Sequence, residues 1–135
     1  MIWIPLMRGC LCRAVAVLAV VLTSTSACAG DRMRKYPSRY YIIHTDLTDK
    51  DDIREAVVRM TVMAEVYHDH TRSFSGTIRK RLPFYLFSDP KDYHAAGAPA
   101  GSAGVFMGDK LMAIAGRKAG ARTWAVVQHE GFHQF

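Results

Sequence analysis

Cysteine is scarce in this 135-residue chain, and none lies beyond position 28. The three cysteines are Cys10, Cys12 and Cys28. The rest of the chain can therefore form no internal disulfide, and it offers no thiolate to a metal ion. Any metal site in residues 30–135 has to be built from histidine and carboxylate side chains.

The chain also lacks internal repeats, long low-complexity stretches and a basic face interleaved with aromatic residues. Its formal net charge is +6, and its basic residues are scattered, with small local groups at Arg32, Arg34 and Lys35, at Arg79, Lys80 and Arg81, and at Arg117, Lys118 and Arg122. This scatter argues against nucleic acid as a partner and predicts solvated surface. With half of its residues hydrophobic and 22% charged, the composition is that of one small globular domain.

The apolar run at residues 14–22 is too short to span a bilayer core of roughly 30 Å comfortably. It follows Arg8 and Arg13, and the small and polar residues 23–27 come after it. That order is typical of a secretory signal peptide. We therefore expect residues 1–29 to be a signal segment and residues 30–135 to be exported, to the periplasm, to the outside of the cell or to a membrane through a lipid anchor.

Two cleavage patterns compete at the end of this segment. Ala27-Cys28-Ala29 fits ordinary signal peptidase, whereas Ser26-Ala27-Cys28 resembles a bacterial lipoprotein box, with Thr25 where that box usually has leucine. The second pattern would attach the protein to a membrane through a lipid on Cys28. A third interpretation is an uncleaved anchor helix over residues 2–22, against which its two arginines argue.

Residues 30–135 show a pattern of alternating strands and helices. The periodicity predicts a strand at 39–44, a helix capped by Thr48 that ends near 68–70, a strand at 82–87, a short turn or helix at 88–93, a loop at 95–104, a hairpin of 105–107 and 110–114, and a helix from Thr123 to His133. We therefore expect an α+β domain in the order strand, helix, strand, hairpin, helix.

His129, Glu130 and His133 form an HExxH motif within the last predicted helix. At 3.6 residues per turn, the two histidines project from one face, close enough for both imidazoles to bind one ion. A catalytic zinc takes three protein ligands and a water, whose pKa it lowers to roughly 7. The motif thus predicts His129 and His133 as zinc ligands, with Glu130 as the general base that accepts the proton of the water.

The alternative to a metal site is an ordinary helix whose two histidines are polar surface or core residues. Nickel, copper or iron would also suit two histidines. The other histidines are weaker candidates, since His68 and His70 are two residues apart and cannot share a helix face. His44 and His94 are isolated, and residues 101–104 lack the lysine and the strand-to-helix setting of a phosphate loop.

The segment HEGFHQF, preceded by YYIIH, a long amphipathic helix, LPFYLF and GVFM, resembles exported bacterial proteins of unknown function that belong with the gluzincin-type, thermolysin-like zinc metallopeptidases. The resemblance covers residues 39–135. It implies the N-terminal part of a zincin-like domain, with His129 and His133 as zinc ligands and Glu130 as general base. It also implies a peptide or protein substrate, held in extended form by an edge strand within residues 105–114.

The gluzincin pattern has a third ligand, usually a glutamate on a following helix, and only Gln134 and Phe135 follow the motif in this chain. We therefore expect the domain to be incomplete at its C-terminus. The rival hypothesis is a non-catalytic exported or lipid-anchored binding module with a degenerate or incomplete metal site. A small structural protein with a chance motif is a third.

The missing ligand leads to a first prediction. Residues 30–135 alone should bind zinc weakly and should not hydrolyse a casein-type substrate, because two histidines leave the ion short of one protein ligand. Zinc titration by calorimetry and a proteolysis assay with and without a chelator measure this. Tight zinc binding together with chelator-sensitive hydrolysis would contradict the expectation.

Overall fold

The computed structural model describes residues 33–116 and 119–135. The expected signal segment at residues 1–29, with its Cys28, lies outside the described residues, as do Arg117 and Lys118. The described part contains one five-stranded sheet and three helices, which confirms the α+β class. Its elements are β1 (Arg34–Pro37), β2 (Tyr41–Thr45), α1 (Lys50–Ser75), β3 (Leu82–Phe87), α2 (Pro90–Ala95), β4 (Gly104–Met107), β5 (Lys110–Ile114) and α3 (Ala121–Phe132).

The sheet has the order β1-β2-β3-β5-β4 and combines parallel with antiparallel pairs. β2, β3 and β5 run parallel, with α1 and α2 in the connections between them. β1 pairs antiparallel with β2 at one edge, and β4 pairs antiparallel with β5 at the other. β4 and β5 form the predicted hairpin around Gly108-Asp109, where Gly108 has a φ of 67°.

Side chains of the central strands alternate between two covered faces. Phe84 and Leu86 of β3 lie in the larger core with α1 and α3, whereas Phe87, with Tyr85 packed beside it, lies in the smaller core on the α2 side. Because both faces are covered, β3 is an almost continuous apolar run. The other buried residues of the larger core include Tyr41, Ile43, Ile53, Ala56, Met60, Ala64, Leu111, Ala113, Trp124 and Val127.

α1 differs from its prediction at both ends. Its N-cap is Asp49 and not Thr48, because the Asp49 carboxylate accepts from the amides of Asp51 and Asp52 at 2.8 and 3.1 Å. The helix also continues past residues 68–70 to Ser75, since its buried face extends as far as Thr71. None of the helices in residues 33–116 and 119–135 is both long and apolar enough to cross a membrane.

β1, β2 and α2 also differ in detail from the prediction. The sequence reading missed β1, and it began β2 two residues too early, at residue 39 rather than Tyr41. The chain turns before Tyr41, whose amide donates to Ser38 Oγ at 3.0 Å. The predicted turn or helix after β3 is α2, and Asp89 caps it by accepting from the Lys91 amide at 2.8 Å.

α3 begins earlier than predicted and packs closely on the sheet. Its N-cap is Gly120, whereas Thr123, the predicted cap, lies inside the helix and donates through Oγ1 to the Ile114 carbonyl at 3.2 Å. Small residues permit the close approach on two sides. A Cβ on Gly131 would lie 2.7 Å from the Met63 Cε atom, and a Cβ on Gly104 of β4 would overlap the side chain of Val126.

The contact at Gly104 gives a stability prediction. Gly104→Ala should lower the free energy of unfolding by about 1–3 kcal/mol, because the added methyl group forces the backbone of β4 away from Val126. Chemical denaturation measures the change. The double variant Gly104→Ala with Val126→Ala removes the overlap, so it should lose less stability than the two single changes added together. Purely additive losses would contradict the packing described here.

Candidate metal centre

His129 and His133 lie on the outer face of α3, away from the sheet. The inner face is buried through Trp124, Val127 and Gly131, whereas both histidines are exposed. Their ring centroids are 5.7 Å apart, with the ring planes inclined by 84°. His133 is the C-cap and keeps helical backbone angles, so the spacing of one turn is preserved. Two imidazoles are thus presented to solvent side by side.

Glu130 lies on the side of α3 that faces the edge strand. Its Oε2 atom accepts a hydrogen bond from the backbone amide of Phe106 in β4, at 3.2 Å. The register of the hairpin explains why this amide is available. Ile114 donates to the Ala103 carbonyl, and hydrogen-bonded pairs alternate along an antiparallel ladder, so the Phe106 amide points away from β5.

Phe106 contacts the motif a second time, through its ring. The ring lies nearly parallel to the His133 imidazole, with an interplanar angle of 14° and centroids 6.5 Å apart. The backbone of Phe106 therefore contacts Glu130 while its side chain contacts His133. The sequence reading did not single out this residue, and only the parity of the hairpin could have indicated it.

α1 borders the other side of the motif face through Tyr67. The Tyr67 hydroxyl donates to the Gln128 carbonyl at 2.5 Å, and its ring packs edge-on against Phe132 and Phe135. Burial raises the pKa of this hydroxyl above its ordinary value, so it stays a protonated donor at neutral pH. Tyr67 and both motif histidines line a shallow pocket of about 380 Å³.

The residue after the motif, Gln134, anchors the end of α3 to the sheet. Its Oε1 atom accepts from the hydroxyl of Tyr41 in β2 at 2.9 Å. Tyr41 is fully buried, and burial raises its pKa well above the ordinary value, so the hydroxyl remains a donor throughout the physiological pH range. This bond fixes the chain immediately beyond His133.

The structure does not bring the remaining histidines to this face. His44 stacks on Tyr85 in the sheet at 4.4 Å, and burial, with a smaller contribution from Lys35, lowers its pKa. His94 lies in α2, and its Nδ1 atom is 3.2 Å from the Ala98 carbonyl. His68 and His70 both lie within α1, two positions apart and therefore on different sides of it.

The donor set fits part of a zinc site. Imidazole nitrogen is a ligand that zinc prefers, and the two rings lie one turn of α3 apart, with centroids separated by 5.7 Å. Within residues 33–116 and 119–135, no group of three or more histidine, cysteine, aspartate or glutamate side chains is arranged to hold a metal ion. The described residues thus offer a pair of imidazoles at this face, which is one protein ligand short of a catalytic zinc site.

Zinc titration followed by NMR of the histidine rings tests this pair. The ring signals of His129 and His133 should change first and together, because only these two imidazoles adjoin on one exposed face. Replacing either one by alanine should abolish the response of the other, whereas His94→Ala serves as the matched control. A first response at His68 and His70 would contradict the assignment.

Comparison with known proteins identifies no relative of this chain. No family model, no curated protein and no solved structure matches the chain. The function is therefore inferred from the arrangement of α3, β4 and α1.

Proposed function

We propose that this chain carries the metal-binding helix and the substrate-binding edge strand of a zincin-like, zinc-dependent metallopeptidase. The observation that carries the proposal is the position of Glu130. Its carboxylate accepts a hydrogen bond from an outward-pointing amide of β4, and Glu130 belongs to the same turn of α3 as two exposed imidazoles whose ring centroids are 5.7 Å apart. A carboxylate beside two histidines and next to a strand edge supports the proposal, because the reaction needs a base, a metal site and a strand that an extended peptide can join.

His129 and His133 would hold the zinc ion, together with a third ligand from outside the described residues. When bound, zinc supplies a Lewis acid that activates a water molecule and polarises a carbonyl group. Glu130 takes the proton of the attacking water at a carboxylate oxygen and delivers it to the leaving amine. The Phe106 amide holds that carboxylate at the strand edge, which limits the positions from which it accepts the proton.

β4 would bind the substrate backbone. By the same parity that frees the Phe106 amide, the carbonyl of Phe106 and both backbone groups of Gly104 point off the sheet. An extended peptide adds to such an edge through main-chain hydrogen bonds. A peptide bound there runs past Glu130, so its scissile bond comes close to the motif. This arrangement favours a peptide or protein substrate.

The expected signal segment supports a place of action outside the cytoplasm. Residues 1–29 have the order of a secretory signal, and Cys28 offers a site for lipid attachment. We accordingly propose an exported protein, either released or held at a membrane by a lipid.

The second candidate is a binding module that keeps this fold without catalysis. Two observations favour it: the described residues provide two imidazole ligands, and the carboxylate of Glu130 is engaged with the Phe106 amide. Such a module would bind extended segments along β4 and would need no proton acceptor.

Glu130→Gln separates the two candidates. In a full-length version that supplies the third zinc ligand, an enzyme should retain its metal and lose turnover by about 10²- to 10⁴-fold, because the amide cannot accept a proton. Turnover of a casein-type substrate and zinc content are measured together. Glu65→Gln, an exposed carboxylate on α1, is the matched control and should leave both unchanged. Unchanged turnover in the Glu130 variant would exclude this residue as the base.

A further inference from the structure

A second site with a different chemistry lies between the end of α1 and the start of β3. The sequence reading placed Arg79, Lys80 and Arg81 on solvated surface. The structure confirms that all three are exposed, and together with Arg39, from the turn before β2, and His68 of α1 they line an open pocket of about 540 Å³. We call this the basic pocket; its remaining lining residues are Tyr40, Thr77 and Ile78.

The side chains that line the basic pocket carry an excess of positive charge. Four of its side chains are arginine or lysine, and no carboxylate lines it. Arg39 pairs with Glu65 at 3.0 Å, at an exposed position beside the pocket. Within the described ranges, 33–116 and 119–135, the three cations that follow α1 have no ion pair. Like charges held close together repel each other, and a bound anion removes that repulsion.

Two buried polar atoms near the basic pocket have no hydrogen-bond partner among the described residues. The Nδ1 atom of His68 is buried and has no hydrogen-bond partner among the described residues. An adjoining pocket shares residues 77–80 with the basic pocket, and it contains Thr71, which is only 2% exposed and whose Oγ1 atom likewise lacks a partner. Because neither atom is accessible to solvent, the donors offered to a ligand in the basic pocket are those of its four cations.

The position of Arg39 suits the binding of an oxyanion. Its guanidinium lies 4.9 Å from the centroid of the Tyr40 ring, while one terminal nitrogen is bonded to Glu65. These two contacts restrict the orientation of the group and leave its other N–H donors available. A guanidinium presents its donors as a fork that matches two oxygens of a phosphate group.

We propose that the basic pocket binds a phosphate group, either in a small soluble molecule or in the headgroup of an anionic lipid. Three arginines and one lysine provide more donors than the two oxygens of a carboxylate can accept from, and a doubly charged phosphate group offers more oxygens to them. The pocket lies outside the motif face of α3, and none of its residues takes part in the proposed hydrolysis.

The first arm of the test uses inorganic phosphate and the purified protein. Backbone amide NMR should show saturable shifts at residues 39–40, 68 and 77–81. The double variant Arg79→Gln with Arg81→Gln should weaken binding by about tenfold or more, since two charge-assisted contacts are lost. Lys91→Gln with Arg122→Gln removes the same charge from exposed positions elsewhere and should leave the affinity within about twofold.

The second arm uses vesicles of phosphatidylglycerol, with phosphatidylcholine vesicles as reference. One outcome is that the protein sediments with the anionic vesicles and not with the reference vesicles. If the Arg79 and Arg81 variant loses this sedimentation and the control variant keeps it, the pocket binds the phosphate of a lipid headgroup. Saturable phosphate binding without sedimentation would support a soluble phosphate compound. The proposal is overturned if neither probe binds, or if the control variant loses binding as much as the pocket variant does.

Discussion

Burial of the inner face of α3 against the sheet determines where the motif side chains point. Trp124, Val127 and Gly131 take up that inner face, and the helical period of 3.6 residues then directs His129 and His133 outward. The close approach depends on small residues, since a side chain at Gly131 would meet Met63. The exposure of the two imidazoles is therefore a consequence of core packing. Core packing therefore holds the orientation of the two histidines whether or not a metal is bound.

The pairing of β4 with β5 sets the second half of the site. In an antiparallel ladder, a shift of one residue exchanges the inward and outward backbone groups. The tight turn at Gly108-Asp109 fixes that register, and with it the outward direction of the Phe106 amide. Core packing thus determines the orientation of α3, and turn geometry determines the register of β4 and β5. Their contact at Glu130 follows from both.

Local pattern was sufficient for part of this arrangement and insufficient for the rest. The apolar period of α1, the hairpin and the motif spacing are all local signals, and their elements could be predicted. β1 could not, because its four residues are largely exposed and gain their structure from pairing with β2. The predicted N-cap of α1 was wrong because Thr48 and Asp49 are both good capping residues, and only the backbone geometry selects between them. Phe106 and the basic pocket required tertiary contacts.

α1 connects the two proposed sites through neighbouring residues. Consecutive positions on a helix point about 100° apart, so Tyr67 contacts α3 while His68 lines the basic pocket. Any rotation of α1 would move both residues together, although their chemistry is separate. Arg79 and Arg81 lie between α1 and β3, so substitutions there leave the side chains of this shared helix unchanged. Loss of phosphate binding in that variant would therefore report on the pocket and not on a displaced helix.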